Sequence, residues 1–570
     1  MEESTSYPPI EPSSFDLIVI GTGLPESIIA SAASAAGKTV LHLDPNPFYG
    51  SHSASLPLND LISFLQSQSQ SQFKSHISDD GVFIPLLTRP LYSNLEINSY
   101  SSEHINCSRK FNLDLAGPRV FLCSDSMINL ILKTDINQYM EFKNVDACFL
   151  SNAEGKLENV PDSRSAIFKN RTLSLPEKNQ LMKFFKYVQG HLGNKTEEDK
   201  VSEEDMESPF VDFLAKMGLS QKLKSIILYT IVMADYDQRN LEVCKDVIST
   251  RSGIDRLALY HSSIGRFPNA NGAIIYPIYG QGELPQAFCR RAAVKGCIYV
   301  LRMPTVAVLM NKDSSTYKGV KLGSGQELFS SQLILAPHFT IPSTMVFTDQ
   351  VTTSHDCKGK VARGICIAKN SLNPEVANCL VFFPPRSLYP EQISTVRALQ
   401  LSGNVAVCPS GMFVIYLSTI CDNAVEGKKL LNEAISALFC KPIPENSANS
   451  GIENLCENIE GKPCLLWSAL YIQELTTFQG GLNSISYTPM PDEHLHYNNL
   501  LDATKKVMVA KNQGSKNRYS VLARPTAEER VEEYSGEYSL FQEIYPNEEF
   551  FSTIKASDDL RDDGDIDQES

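Results

Sequence analysis

Residues 15–50, FDLIVIGTGLPESIIASAASAAGKTVLHLDPNPFYG, decide the fold. Leu17 to Ile20 is a short run of branched apolar residues, the composition of a strand buried on both faces. Gly21 and Gly23 make a sharp turn, Ser27 to Ala36 gives a helix of small residues, and Thr39 to Leu43 is a second buried strand ending at Asp44. Together they form one βαβ unit. In an intact G-x-G-x-x-G fingerprint the third glycine lets the helix pack on the strand, and a pyrophosphate rests on free amides at the helix N-terminus. Here the third position is Glu26, with Pro25 before it. A carboxylate at the positive end of the helix dipole repels phosphate, and the proline removes an amide donor. The residues predict a Rossmann-type scaffold of the FAD-oxidoreductase kind with a degenerate cofactor loop (Gly21, Gly23, Glu26 and Asp44) and no bound cofactor. Asp44 stands where an acid would hold ribose hydroxyls. It is read as inherited scaffold that now bonds to the loop carrying Tyr49.

A chain of 570 residues normally divides into two or more domains. With 42% apolar and 21% charged residues it reads as an ordinary globular protein. The net charge of −15 disfavours nucleic acid or an anionic membrane as a direct partner. Fourteen cysteines without regular spacing suggest buried thiols in a reducing compartment, and none forms a paired C-x-x-C metal site. The polar start MEESTSYPPIEPSS is unlike a secretory signal, and no apolar run approaches the ~20 residues of a membrane span. A cytosolic location is expected.

Residues 1–14 read as a disordered leader, Asn59 to Leu65 as a short amphipathic turn, and the low-complexity run at 66–74 as an exposed loop. Ser124 or Asp125 can cap a helix, and from there to about residue 235 the helical period dominates. Lys178 to Gln189, Pro209 to Met217 and Lys222 to Ala234 are three such helices, the last apolar on nearly all sides. Strands return at Ala273 to Tyr279 and Cys297 to Leu301, with a helix starting near Glu283 between them. Further strands are expected at Thr305 to Met310, Val320 to Leu322, Leu333 to Ala336, Cys366 to Ala368, Cys379 to Phe383 and Met412 to Ser418. The expected fold is α/β: a discontinuous FAD-oxidoreductase-like domain (15–122 and 236–550), an inserted all-helical domain (123–235), and an acidic disordered tail (551–570).

The strings IVIGTGLPESIIASAASAAGKTVLHLDPNPFYG and IYPIYGQGELPQAFCRRAAVKGCIYVL resemble the two signature regions of the GDI/Rab escort superfamily. The resemblance runs more thinly over residues 15–550. CLLWSALYIQEL near residue 470, FQEIYPNEEFF at 541–551, the extra length and the acidic tail are similar to the escort branch. The resemblance implies a GDI-like fold and a non-catalytic chaperone. Its partners would be GDP-bound Rab GTPases, the Rab geranylgeranyltransferase α/β heterodimer, the geranylgeranyl lipid on the product and, transiently, a membrane. It also implies residue roles. Tyr49, Glu283, Arg290 and Val300 would form a Rab-binding platform, Val300 departing from a methionine common in GDIs. Tyr187, with Phe185 as the alternative, would enter the transferase. No arginine follows it in YVQGHLGNKTEED, where an arginine is expected, and the lysine in that stretch is Lys195. Leu223, Ile227 and Ile231 would line a prenyl groove, although an ordinary helix core explains the same spacing. Two rival functions remain: an FAD-dependent oxidoreductase, and a GDI that recycles prenylated Rabs.

Overall fold

The computed structural model describes residues 8–69, 83–100, 108–152, 154–161, 164–192, 200–270, 272–311, 316–342, 355–440, 461–478 and 484–512. Strand β1 (Ser14–Ile20), helix α1 (Leu24–Ala35) and strand β2 (Val40–Asp44) form the expected βαβ unit. β1 and β2 pair in parallel, Leu17 opposite Val40 and Ile20 opposite Leu43. The parallel order continues on both sides: Ile298–Leu301 lies outside β2, Glu327–Leu335 lies beside β1, and Ile485–Tyr487 pairs with Glu327–Leu335. An antiparallel meander of Tyr317–Leu322, Thr305–Met310 and Phe83–Pro85 completes this first sheet.

The small residues of α1 have a structural purpose. Alanines and serines keep the helix thin, so Glu283–Val294 packs closely against it, with Ser27 Oγ 3.2 Å from Cys289 Sγ. Leu284, Phe288 and Ala292 are the buried stripe of that second helix, at the positions their spacing predicts.

The second sheet has the strand order Leu157–Asn159, Ala147–Ser151, Cys379–Phe383, Val396–Ser402, Met412–Cys421, His355–Lys369, Cys464–Phe478, Tyr92–Ser99. One face is covered by the helix Ala424–Leu438, through Leu430, Leu431 and Ile435. The other face shares a continuous core with the helical segment: Ile365, Leu380 and Tyr416 of the sheet belong to the same cluster as Leu181, Phe184, Phe213, Ile227 and Ile254.

This corrects the expected extent of the helical part. Residues 123–235 include the strands Phe142–Asn144, Ala147–Ser151 and Leu157–Asn159, and the last two extend the second sheet. These strands have three to five residues and only partly buried patterns, too short for an alternating period to register. The helices run instead from Arg164–Lys169 through Leu175–Leu192 and Phe210–Lys216 to Thr250–Ser263.

Other expectations shift as well. Asn59 to Leu65 lies within a twelve-residue helix, Leu58–Ser69. Lys222 to Ala234 is not one α-helix. Gln221–Ser225 is α, Ile226–Ile231 is a π-helical turn in which Val232 N–H donates to Ile227 O, and Met233 leaves it at φ +58°. Residues 8–14 of the expected disordered leader pack on the fold: Ile10 is buried, and its amide and carbonyl both bond to the Gln326 side chain, at 3.0 and 2.8 Å. The acidic tail, the 541–551 string and Lys195 lie outside the described residues.

Candidate functional site

The degenerate cofactor loop is closed from within. Gly21 has φ +104°, a backbone conformation glycine adopts without steric cost, and a Cβ there would sit 2.5 Å from that of Ala336. Glu26 is 1% exposed, and its carboxyl lies inside van der Waals reach of the space over Gly23 that a pyrophosphate would need. Its Oε1 accepts a hydrogen bond from Thr488 Oγ1. Donors are scarce at the start of α1: Leu24 N–H faces Ser53 Oγ at 3.5 Å, and Pro25 has no N–H.

Asp44 is equally committed. Its Oδ2 accepts from Thr22 N (2.8 Å), Thr22 Oγ1 (2.7 Å) and Ser51 Oγ (2.7 Å), and its Oδ1 accepts from Asn46 N and Asn46 Nδ2, both at 2.8 Å. A carboxylate offers about four lone-pair positions, so none is left for a ribose. Gly50 N–H also bonds to Thr22. The acid thus fixes the loop 45–51 that carries Tyr49.

The fold family implies FAD, and the residues do not fit it. A void of about 10 Å³ borders Leu24 and Ser53, not Gly21, Gly23 or Asp44, and has room for at most one water. A roomier cleft of about 550 Å³ touches Thr488, Leu475 and Val507 but reaches none of Gly21, Gly23 or Asp44. One electrostatic expectation is corrected. Burial pushes the Glu26 carboxyl up to about 7, so near neutrality the block is as much a filled volume as a negative charge.

The four expected platform residues fall on adjoining elements at one edge of the first sheet. Tyr49 follows β2, and its ring meets Tyr299 edge-on at 6.1 Å. Val300 pairs with Leu43 on the outermost strand, whose end is tied back by Arg302 N–H to Asn46 O and Met303 N–H to Asp44 O. Glu283 opens the next helix and is half-buried, which raises its pKa. Arg290 is exposed, with its guanidinium 4.6 Å from the centre of the Tyr139 ring. Tyr299 stands behind Tyr49, its ring 4.7 Å from that of buried His42, and burial drives that imidazole down to about 4.

Sequence reasoning missed what holds the Y-G-x-G-E turn. Buried Asp114 accepts hydrogen bonds from Ser55 Oγ (2.6 Å), Tyr276 Oη and Gln281 N–H (2.9 Å), while Ser55 Oγ accepts from Gly282 N–H at 2.8 Å. Gly280, at φ +100°, has no room for a Cβ because Ser55 Oγ would lie 2.5 Å away. The available signal was a single acid between leucines, Leu113-Asp114-Leu115.

On the helical segment, Tyr187 and Phe185 lie two residues apart and so point about 160° away from each other. Tyr187 leans on Phe213 at 6.5 Å and Phe185 on Phe184 at 5.7 Å, so a single partner surface can reach only one of them. Leu223, Ile227 and Ile231 are buried members of the large core cluster, and the closed segment presents them as packing rather than as an open groove.

The sequence family described as GDP dissociation inhibitor matches residues 11–85 and 84–464. An Arabidopsis thaliana protein named Rab escort protein 1 is 53% identical over 93% of this chain and 98% of its own length. The Drosophila melanogaster protein named Rab proteins geranylgeranyltransferase component A is 30% identical over 72% of this chain and 74% of its own. Among solved structures, a Rab GDI from Plasmodium falciparum superposes with a TM-score of 0.64 at 20% identity, covering 89% of this chain and all of that one, a likeness of fold.

Proposed function

The chain belongs to the GDP dissociation inhibitor family, and on that premise we propose that it acts as a Rab escort protein. It binds unprenylated Rab GTPases in their GDP form and presents their C-termini to Rab geranylgeranyltransferase. It then carries the lipidated product through the cytosol to a membrane, without itself performing a chemical step. The observation that carries this reading is a plugged nucleotide site beside an edge that keeps an acid and an arginine on one helix. Glu26 and Asp44 are consumed internally, while Glu283 and Arg290 remain on a rigid helix at the surface. A redox scaffold with its cofactor loop closed retains that edge as a docking surface.

The physical need for such a carrier is large. Geranylgeranyl chains exposed to water cost about 0.8 kcal/mol per CH₂, so a lipidated GTPase requires an apolar shelter in transit. The closed core around Leu223, Ile227 and Ile231 supplies one if the helices part. A π-helical turn at Ile226–Ile231 lies in this core, and such turns are rare and frequent at functional sites, which supports placing the shelter here.

The test is reconstitution. Purified protein, transferase, GDP-loaded Rab and geranylgeranyl diphosphate are combined, and lipid transfer to the Rab is followed with and without the chain. Transfer that depends on the chain is expected. Absence of transfer, together with extraction of already prenylated Rab from membranes, would place the chain with the recycling GDIs instead.

A further inference from the structure

Two exposed side chains with large apolar surfaces stand beside the docking edge. Tyr279 is 53% exposed and Val294 is 71% exposed. Tyr279 lies in the turn before the Glu283–Val294 helix, and Val294 lies in its last turn. At about 100° per residue, Glu283, Arg290 and Val294 fall within about 40° of one another, so Val294 prolongs the Glu283–Arg290 line toward the helix C-terminus.

The backbone at Tyr279 adds an independent observation. Its φ is +73°, in the left-handed region where a bulky side chain is a rare and costly occupant. Glycine is available to the same turn, standing at 280 and 282. The turn is nevertheless fixed on every side. Tyr279 N–H donates to Val405 O at 2.9 Å, Gln281 N–H to Asp114 Oδ1 at 2.9 Å, and Gly282 N–H to Ser55 Oγ at 2.8 Å. Among the described residues the half-exposed Tyr279 ring makes no ring–ring contact and its hydroxyl no hydrogen bond that would account for the strained, pinned backbone. A preorganised apolar contact for a partner accounts for it, because the ordering cost is met before binding.

We propose that Tyr279 and Val294 are apolar contacts of the same GDP-bound GTPase, so that the docking edge reads acidic, basic, apolar along the helix, with a further apolar group in the turn that precedes it. This rests on the escort reading and extends it. The GTPase face that docks here carries two apolar spots beside a complementary charged pair. Docking covers an exposed tyrosine ring and an exposed valine that are otherwise left in water.

The experiment measures the affinity of the full chain for a GDP-loaded, unprenylated Rab by titration, comparing Tyr279→Gly, Val294→Lys, Arg290→Ala and Val425→Lys. Glycine relieves the strain at 279, so Tyr279→Gly is expected to leave the urea midpoint unchanged or raised while weakening Rab binding about tenfold or more. Val294→Lys is expected to weaken binding similarly. Val425→Lys, at an exposed valine on another helix (Ala424–Leu438), is expected to leave it unchanged. Wild-type affinity in both Tyr279→Gly and Val294→Lys, with Arg290→Ala impaired, would overturn this inference and leave the platform standing. Wild-type affinity in Arg290→Ala with Tyr279→Gly impaired would keep the inference and remove Arg290. If all the variants bind as wild type, the edge is not the docking surface.

Discussion

Glu26 and Thr488 are 462 positions apart in the chain, yet their side chains share a hydrogen bond over the turn that a dinucleotide would occupy. Thr488 Oγ1 also lies 3.2 Å from Leu335 O, at the end of the strand beside β1. A hydroxyl has one proton to give. When Glu26 is protonated it can donate to Thr488 while Thr488 donates to Leu335, and all three groups are satisfied. The C-terminal strand Ile485–Tyr487 and the first helix are thereby locked to each other through the vacated cofactor site.

That lock titrates. Burial raises the Glu26 carboxyl from 4.5 to about 7. Between those values the unfolded chain has released a proton that the folded chain retains, so this group's contribution to stability falls as pH rises from 4.5 to 7 and then levels off. At about 1.4 kcal/mol per unit the whole effect is on the order of 3 kcal/mol. Glu26→Gln keeps the shape and the acceptor but removes the titration. Urea unfolding at pH 5 and pH 8 should find the variant gaining on wild type at the higher pH; a gap independent of pH would show that Glu26 stays ionised.

Restoring the glycine should not restore the cofactor. Glu26→Gly clears the space over Gly23, but the five hydrogen bonds to Asp44 and the Thr488 segment remain. The purified variant, incubated with FAD and dialysed, is expected to be colourless. Retained yellow would mean that Glu26 alone closes the site.

Much of this was legible in the sequence, and the limits are physical. Residues 15–50 specify their own local structure: two mostly apolar runs, a glycine turn and a small-residue helix give the βαβ unit, although β1 and α1 each begin three residues earlier than expected. The 283–294 helix was legible for the same reason, with a buried stripe at 284, 288 and 292. Thr488 and Asp114 were not. Each acts through a partner fixed only by long-range topology, and nothing local to SYTPMP or FNLDLA encodes it. Thr250–Ser263 was missed because Gly253 interrupts its period, and the structure uses that glycine for contact rather than flexibility.

Gly253 is therefore a packing test of the helical segment. A Cβ at this position would meet the Phe210 ring at 2.5 to 2.7 Å, and Phe210 is fully buried beneath it. Gly253→Ala should cost about 1–3 kcal/mol by forcing the two helices apart, despite the gain in helix propensity. Ile227→Ala, in the same core, should cost about 2–5 kcal/mol. Urea midpoints measure both; an unchanged midpoint for Gly253→Ala would mean that the helices already have room to move.

The last prediction concerns the transferase. The Tyr187 ring is steadied by Phe213, 6.5 Å away, and is the aromatic we propose for the transferase contact. The segment 188–199 contains no arginine, and a lysine brings a point charge where a guanidinium would make a planar, two-pronged bond to a carboxylate. Losing a charge-assisted pair of that kind removes about 1.5–3 kcal/mol, at least tenfold in affinity. The free chain should therefore bind the transferase weakly, and GDP-loaded Rab should tighten the complex by adding its own contacts. Titrating purified transferase into the chain with and without Rab checks this, and Tyr187→Ala should weaken the loaded complex about tenfold further. Equal, tight affinity in both titrations would show that Tyr187 and its neighbours need no arginine, and that the transferase grips the helical segment through other residues.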